Sequence, residues 1–175
     1  MDVEEAIHYA IRRGAERIVL FGWSMGGTIA AQLALKPDLA PHIAALVLDS
    51  PVLDWHDVIL ANCARAGLPG FAGSLAAPWL ARRTFARLVA LPHSIPLETM
   101  SYKQWAADLR VPTLILHGDH DDPAPMSTST VVRSIRHDVV ELNLFSAGHT
   151  LSWNADSSGW RQTVRTWLAR QAPSG

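Results

Sequence analysis

Three residue types that together make a serine nucleophile work occur in this chain in the order serine, aspartate, histidine. Ser24 lies in Gly22-Trp23-Ser24-Met25-Gly26-Gly27, the aspartates in His117-Gly118-Asp119-His120-Asp121-Asp122, and His149 in Ser146-Ala147-Gly148-His149-Thr150. A serine hydroxyl is a poor nucleophile until a base takes its proton, and an imidazole base needs an acid to orient it. The serine also has the right local setting. Arg17-Ile18-Val19-Leu20 before it is an apolar, strand-like block, and Thr28–Lys36 after it is rich in helix formers. A serine on a sharp turn between strand and helix sits in strained backbone with its hydroxyl clear of the sheet. The spacing predicts glycine at 22 and 26 because side chains there would meet the neighbouring chain. The helix that follows aims its first N–H groups and positive dipole end at the serine. The Met25 N–H, next after the serine, is a candidate donor to an oxyanion on the attacked carbonyl.

These residues need elements that bring them together. Val3, Ala6, Ile7, Ala10 and Ile11 recur at helical spacing, with an Asp2–Glu5 capping pair in front and Gly14 placed to end the helix. A strand over 17–22 and a helix over 25–36, stopped by Pro37, follow. Residues 44–48 and 112–118 read as continuous apolar strands covered on both faces. In 139–144, Val140, Leu142 and Leu144 alternate with Glu141 and Asn143, which predicts a strand with one wetter face near a sheet edge. Helices are expected over 126–136 and around Trp160, Val164, Trp167 and Leu168. Alternating strands and helices predict an α/β fold: a mostly parallel sheet of about four strands flanked by helices. Catalytic groups gather at the carboxyl ends of parallel strands. Ser24, the aspartate cluster and His149 each follow a predicted strand.

Residues 53–100 break the alternation. Asp54 is placed to cap a helix running to Gly67, Ser74 another, and Leu68–Gly73 forms a turn between them. An insertion of this length predicts a helical cap over the site, with an ordinary crossover carrying extra helices as the alternative. The organisation expected is 1–51 for the half of the core bearing Ser24, 52–100 for the cap, and 101–175 for the half bearing the acid and histidine.

Each candidate has a plainer rival. Ser24 competes with a simple turn serine. His149 alone follows the last strand, whereas His8, His42, His56, His93 and His137 fall in helices, loops or strand approaches. His117 ends a strand and is expected to shape the acid loop, and His120 lies within that loop. Among Asp119, Asp121 and Asp122 the spacing does not choose, and those not serving as the acid are candidate caps for the next helix. Asp49 also follows a strand, and is expected to bond nearby backbone in the Asp-Ser-Pro turn. Trp23, Trp55, Trp79 and Trp153 are candidates for an apolar acyl pocket, with core packing as the alternative.

Composition narrows the classes. A chain of 175 residues with 49% apolar and 18% charged residues can bury one core and is not a disordered segment. A net charge of −1 gives no electrostatic case for nucleic acid or an anionic membrane surface. Cys63 is the sole cysteine, which leans cytoplasmic, and no apolar run approaches the length of a membrane span. The acid loop is rich in metal ligands but lacks a second cluster, so neither a metal nor another cofactor is expected. Residues 22–27 lack the Lys-Ser/Thr of a phosphate loop.

Gly22–Gly27, His117-Gly118-Asp119-His120-Asp121 with Pro125 beyond, and Ala147-Gly148-His149 together resemble the C-terminal part of an α/β-hydrolase-fold serine hydrolase. The likeness is to the bacterial esterase and serine-aminopeptidase-like kind and covers essentially the whole chain. It implies a catalytic triad of Ser24, Asp121 and His149, since similar enzymes place the acid four residues after the histidine of the His-Gly pair. It implies hydrolysis of carboxylic esters, or of amides, through an acyl-enzyme. The alternatives are acyl transfer on the same triad, or a truncated hydrolase acting as a binding module. Serine at the turn counts against dehalogenase or epoxide hydrolase chemistry, for which similar enzymes carry aspartate. Similar hydrolases have four further strands ahead of this point, roughly a hundred residues, one of which supplies the second oxyanion donor. The expectation is therefore a fragment or a late start, or else a half-domain that dimerises through the open sheet edge.

Overall fold

The computed structural model describes residues 3–69, 71 and 101–171. The expected helix after Ser74, Trp79 and the Asp2 cap lie outside the described residues. In chain order the elements are α1 (Val3–Arg12), β1 (Ile18–Trp23), α2 (Met25–Leu33), β2 (Ile43–Asp49), α3 (Trp55–Arg65), α4 (Tyr102–Trp105), β3 (Thr113–Gly118), α5 (Met126–Ile135), β4 (Val140–Phe145), α6 (Ser152–Ala155) and α7 (Ser157–Gln171). The four strands form one parallel sheet in the order β1-β2-β3-β4.

The apolar runs are continuous because both faces of the central strands are covered. Along β2, Leu46 and Leu48 face a core shared with Ile7 of α1, Ala30, Ala31 and Leu33 of α2, Ile115 and Val132. Ala45 and Val47 face the opposite core, with Leu114, Leu116, Phe145 and the α7 residues Trp160, Val164 and Trp167. Leu46, Leu48, Leu114, Ile115 and Leu116 are essentially inaccessible to water. Burying each contributes about 1.5–3 kcal/mol.

The sheet ends are less covered. β1 is an edge, and its alternate residues Val19, Phe21 and Trp23 are 37%, 42% and 47% exposed. Phe21 and Trp23 stack on one another, centroids 6.2 Å apart. β4 is the other edge, and here the expected alternation fails: Leu144 is exposed at the open end of the strand, while Phe145 is buried. Helix α2 stops at Leu33 rather than running to residue 36. The chain tightens there through Leu35 N–H to Gln32 O and Lys36 N–H to Leu33 O, three-residue turns that swing it back toward β2. Among the described residues no helix is long and apolar enough to cross a membrane.

Candidate active site

Ser24 occupies the turn between β1 and α2 with φ of +52°. That is a strained conformation for a residue with a side chain, and backbone bonds hold it from three directions. Ser24 N–H donates to Asp49 O at 3.1 Å, while its carbonyl accepts from Gly27 N–H at 3.0 Å and Val52 N–H at 3.1 Å. A Cβ on Gly22 would lie 2.6 Å from Gly26 O, so the turn closes too tightly for any side chain at 22. The second expected glycine is corrected by one position. A Cβ on Gly26 would meet nothing within 4 Å, whereas one on Gly27 would lie 2.6 Å from Pro51 Cβ. The crowding comes from the chain leaving β2, which packs on α2 one residue further along. The Thr28 hydroxyl, donating to Val52 O, closes the same contact.

The acid and histidine loops leave β3 and β4, which are neighbours, and they are bonded to each other. Asp119 N–H donates to Phe145 O at 2.9 Å and His120 N–H to Ala147 O at 3.1 Å. Gly118 permits the approach: a Cβ there would lie 2.2 Å from Ala147 O. His149 Nδ1 stands 3.0 and 2.9 Å from the two oxygens of Asp121, and its Nε2 stands 2.9 Å from Ser24 Oγ. A carboxylate only accepts, so Nδ1 carries the proton and Nε2 accepts from the Ser24 hydroxyl. The structure thus joins Ser24, His149 and Asp121 in one hydrogen-bonded chain. The Asp121 side chain is fully buried, while that of His149 is 24% exposed.

Burial raises the Asp121 pKa, but hydrogen bonds from His117, His149, the Ala124 N–H and Ser50 outweigh it and hold the group at about 2. The Ala124 N–H bond measures 2.9 Å. His117, fully buried, sits behind the carboxylate. Its Nε2 lies 2.9 Å from Ala124 O and 3.3 Å from Asp121 Oδ2, and its Nδ1 lies 2.9 Å from Ser129 Oγ. Since the Ala124 carbonyl only accepts, Nε2 bears the proton, and His117 braces the acid loop.

The remaining candidates are placed elsewhere. Asp119 pairs with His120 at the surface, 2.5 Å apart, and the first turn of α5 has Pro125 at its cap with no side-chain bond, so neither Asp119 nor Asp122 caps that helix. Asp49 does not bond the backbone of its own turn. Its carboxylate accepts from Ser152 Oγ at 3.0 Å and Trp160 Nε1 at 2.8 Å, and burial, the largest influence, raises its pKa. Trp153 packs edge-on against Trp160 with Arg161 over its ring, and the Trp55 indole N–H is buried without a partner among the described residues. As first residue of α2, Met25 has no intrahelical acceptor for its N–H, which lies next after Ser24. Among the described residues, the three side chains with metal-ligand spacing are Glu4, His8 and Asp38, outside this site, and Glu4 is paired with Lys36.

The family profile described as alpha/beta hydrolase fold matches residues 2–100. The chain belongs to that family. Solved structures extend the likeness over the hydrolase fold's second half, which holds Asp121 and His149. An esterase of Pyrococcus furiosus superposes with a TM-score of 0.70 at 20% identity, over 97% of this chain and 60% of that one. A membrane phospholipase A described as a bacterial virulence factor gives 0.66 at 18% identity, over 99% and 65%. A meta-cleavage product hydrolase of Pseudomonas fluorescens gives 0.60 at 14% identity, over 98% and 74%. At these identities the likeness is one of fold. The chain spans about 60% of the length of the esterase. No match is found among curated proteins.

Proposed function

We propose that this chain carries the catalytic triad of a serine hydrolase acting on carboxylic esters, with amides as the harder substrates of the same site. The observation that carries the reading is the unbroken chain from Ser24 Oγ through His149 to Asp121, with heavy-atom distances of 2.9–3.0 Å. Ser24 Oγ attacks the carbonyl carbon as its proton passes to His149 Nε2. Asp121, ionised through the neutral range, holds Nδ1–H and stabilises the imidazolium that forms. The Met25 N–H and the N-terminus of α2 face the developing oxyanion. The alcohol leaves with the proton from Nε2, an acyl-Ser24 ester remains, and water activated by the same imidazole releases the acid.

Residues 52–100 are proposed as a cap over this site. Residues 70 and 72–100 lie outside the described residues, and just beyond them Tyr102 N–H donates to Leu53 O at 2.7 Å, which supports an insertion that leaves the core and returns to it at one place. The test of the hydrolase reading is fluorophosphonate labelling together with p-nitrophenyl acetate turnover, on the 175-residue chain and on Ser24→Ala. Labelling and turnover that vanish in the variant support it. A folded wild-type chain with neither overturns it.

A further inference from the structure

Three residues other than glycine have positive φ among the described residues, and they are Ser24, Ser50 and Thr150. Ser24 and Thr150 belong to the site, Thr150 directly following His149. Ser50 was not among the candidates of the sequence, and its φ of +48° on a fully buried side chain calls for a reason. It directly follows β2, the strand between β1 and β3. Its N–H donates to Leu116 O of β3 at 2.8 Å, and its hydroxyl accepts the Thr150 N–H at 3.0 Å.

We propose that Ser50 is a positioning residue, whose buried hydroxyl holds the loop of His149 by accepting from Thr150 N–H, while its own N–H holds the end of β2 to β3, the strand that the Asp121 loop leaves. This deepens the hydrolase reading and rests on it. Through these two bonds Ser50 fixes the histidine loop against the strand pair β2–β3, so that His149 stays within hydrogen-bond reach of Asp121. Its neighbour Asp49 anchors the chain further along, at Ser152 and Trp160. The end of β2 thereby holds the histidine loop at Thr150 and the chain beyond it at Ser152 and Trp160.

Two variants remove the hydroxyl with opposite backbone effects. Ser50→Gly suits the positive φ, and Ser50→Ala keeps the strain. Two readouts apply to each: the rate constant of fluorophosphonate labelling, and the tautomer of His149 from long-range proton–nitrogen NMR of the imidazole. Expected in both variants is a labelling rate about tenfold to a hundredfold lower, as for small misplacements of reacting groups. Ser50→Gly is expected to melt no lower than wild type by more than a few degrees, so that rate loss is not unfolding. The imidazole is expected to shift from the Nδ1–H form toward Nε2–H as the loop of His149 moves away from Asp121. A wild-type tautomer in both variants overturns the proposal, whatever the rate does. So does an altered tautomer with an unchanged labelling rate. If the wild-type chain itself does not label, the hydrolase reading fails, and the tautomer alone decides the role of Ser50.

Discussion

His149 Nε2 lies 2.9 Å from Ser24 Oγ across 125 residues of chain, and Asp121 meets the other ring nitrogen. Such a relay predicts unequal losses. Ser24→Ala should abolish fluorophosphonate labelling outright, because the nucleophile is gone. Asp121→Asn should leave the fold intact but cost about 10³–10⁴ in kcat, since an amide in place of the carboxylate favours the wrong imidazole tautomer. Steady-state kinetics on a p-nitrophenyl ester checks both, and an Asp121→Asn variant within tenfold of wild type would refute the assignment of the acid.

The two crowded glycines of the turn are distinguishable from the uncrowded one. Gly26 is in α2 with open space where a Cβ would go, so Gly26→Ala should stabilise by up to about 1 kcal/mol through helix propensity. Gly27→Ala drives a methyl into Pro51 and should destabilise by about 1–3 kcal/mol. Urea denaturation of the two variants gives the comparison. Equal midpoints would mean that α2 and the Asp-Ser-Pro turn pack less closely than 2.6 Å implies.

That correction shows where sequence is informative about such a site and where it is not. The blocks 44–48 and 112–118 declare themselves as strands because burial on both faces makes 44–48 and the middle of the second, 114–116, continuously apolar. Ser24, the aspartate cluster 119–122 and His149 follow, each past a strand end, but strand ends do not single out Asp121 from Asp119 and Asp122; only the resemblance to similar hydrolases does. The supports of the site are not periodic. Ser50 and Asp49 sit in an ordinary-looking Asp-Ser-Pro turn, and their partners Thr150, Ser152 and Trp160 lie 100 or more residues away. A carboxylate closing an all-apolar strand was the available signal, since a buried Asp49 demands donors from somewhere. Spacing near residue 49 could not say from where. Likewise Leu144 fits an alternating pattern, but exposure at an edge depends on which helix reaches it.

Two buried aspartates give the stability of the fold opposite responses to acid. The Asp121 pKa is lowered from 3.8 to about 2, because its hydrogen bonds outweigh burial, so its contribution is full above the ordinary value and lost as pH falls through about 2. The Asp49 pKa is raised, chiefly by burial, so the folded state holds that proton more tightly and ionisation above the usual carboxylate range costs stability. In Asp121→Asn the loss of stability between pH 4 and pH 2 should shrink. In Asp49→Asn the rise in stability just above pH 3.8 should steepen. Chemical denaturation across that range measures both slopes, and identical slopes in the two variants would contradict the assignment of opposite shifts.

Asp54 joins the chain leaving the core at α3 to the chain returning at α4. It is buried, caps α3 by accepting from His56 N–H at 2.9 Å, and accepts from the Ser101 hydroxyl at 2.7 Å and Lys103 Nζ at 3.1 Å. Burial raises its pKa, yet the bonds from Ser101 and Lys103 outweigh that and lower it. Asp54→Ala removes a cap and strands a buried hydroxyl, and should cost about 2–4 kcal/mol. Asp54→Asn keeps a capping oxygen and loses the charge opposite Lys103, which is more than half exposed, so less than about 1 kcal/mol is at stake in that pair. The expected order of urea midpoints is wild type, then Asn, then Ala. An alanine variant as stable as the asparagine one would mean that the bond between Asp54 and Ser101 does not hold the two ends together in solution.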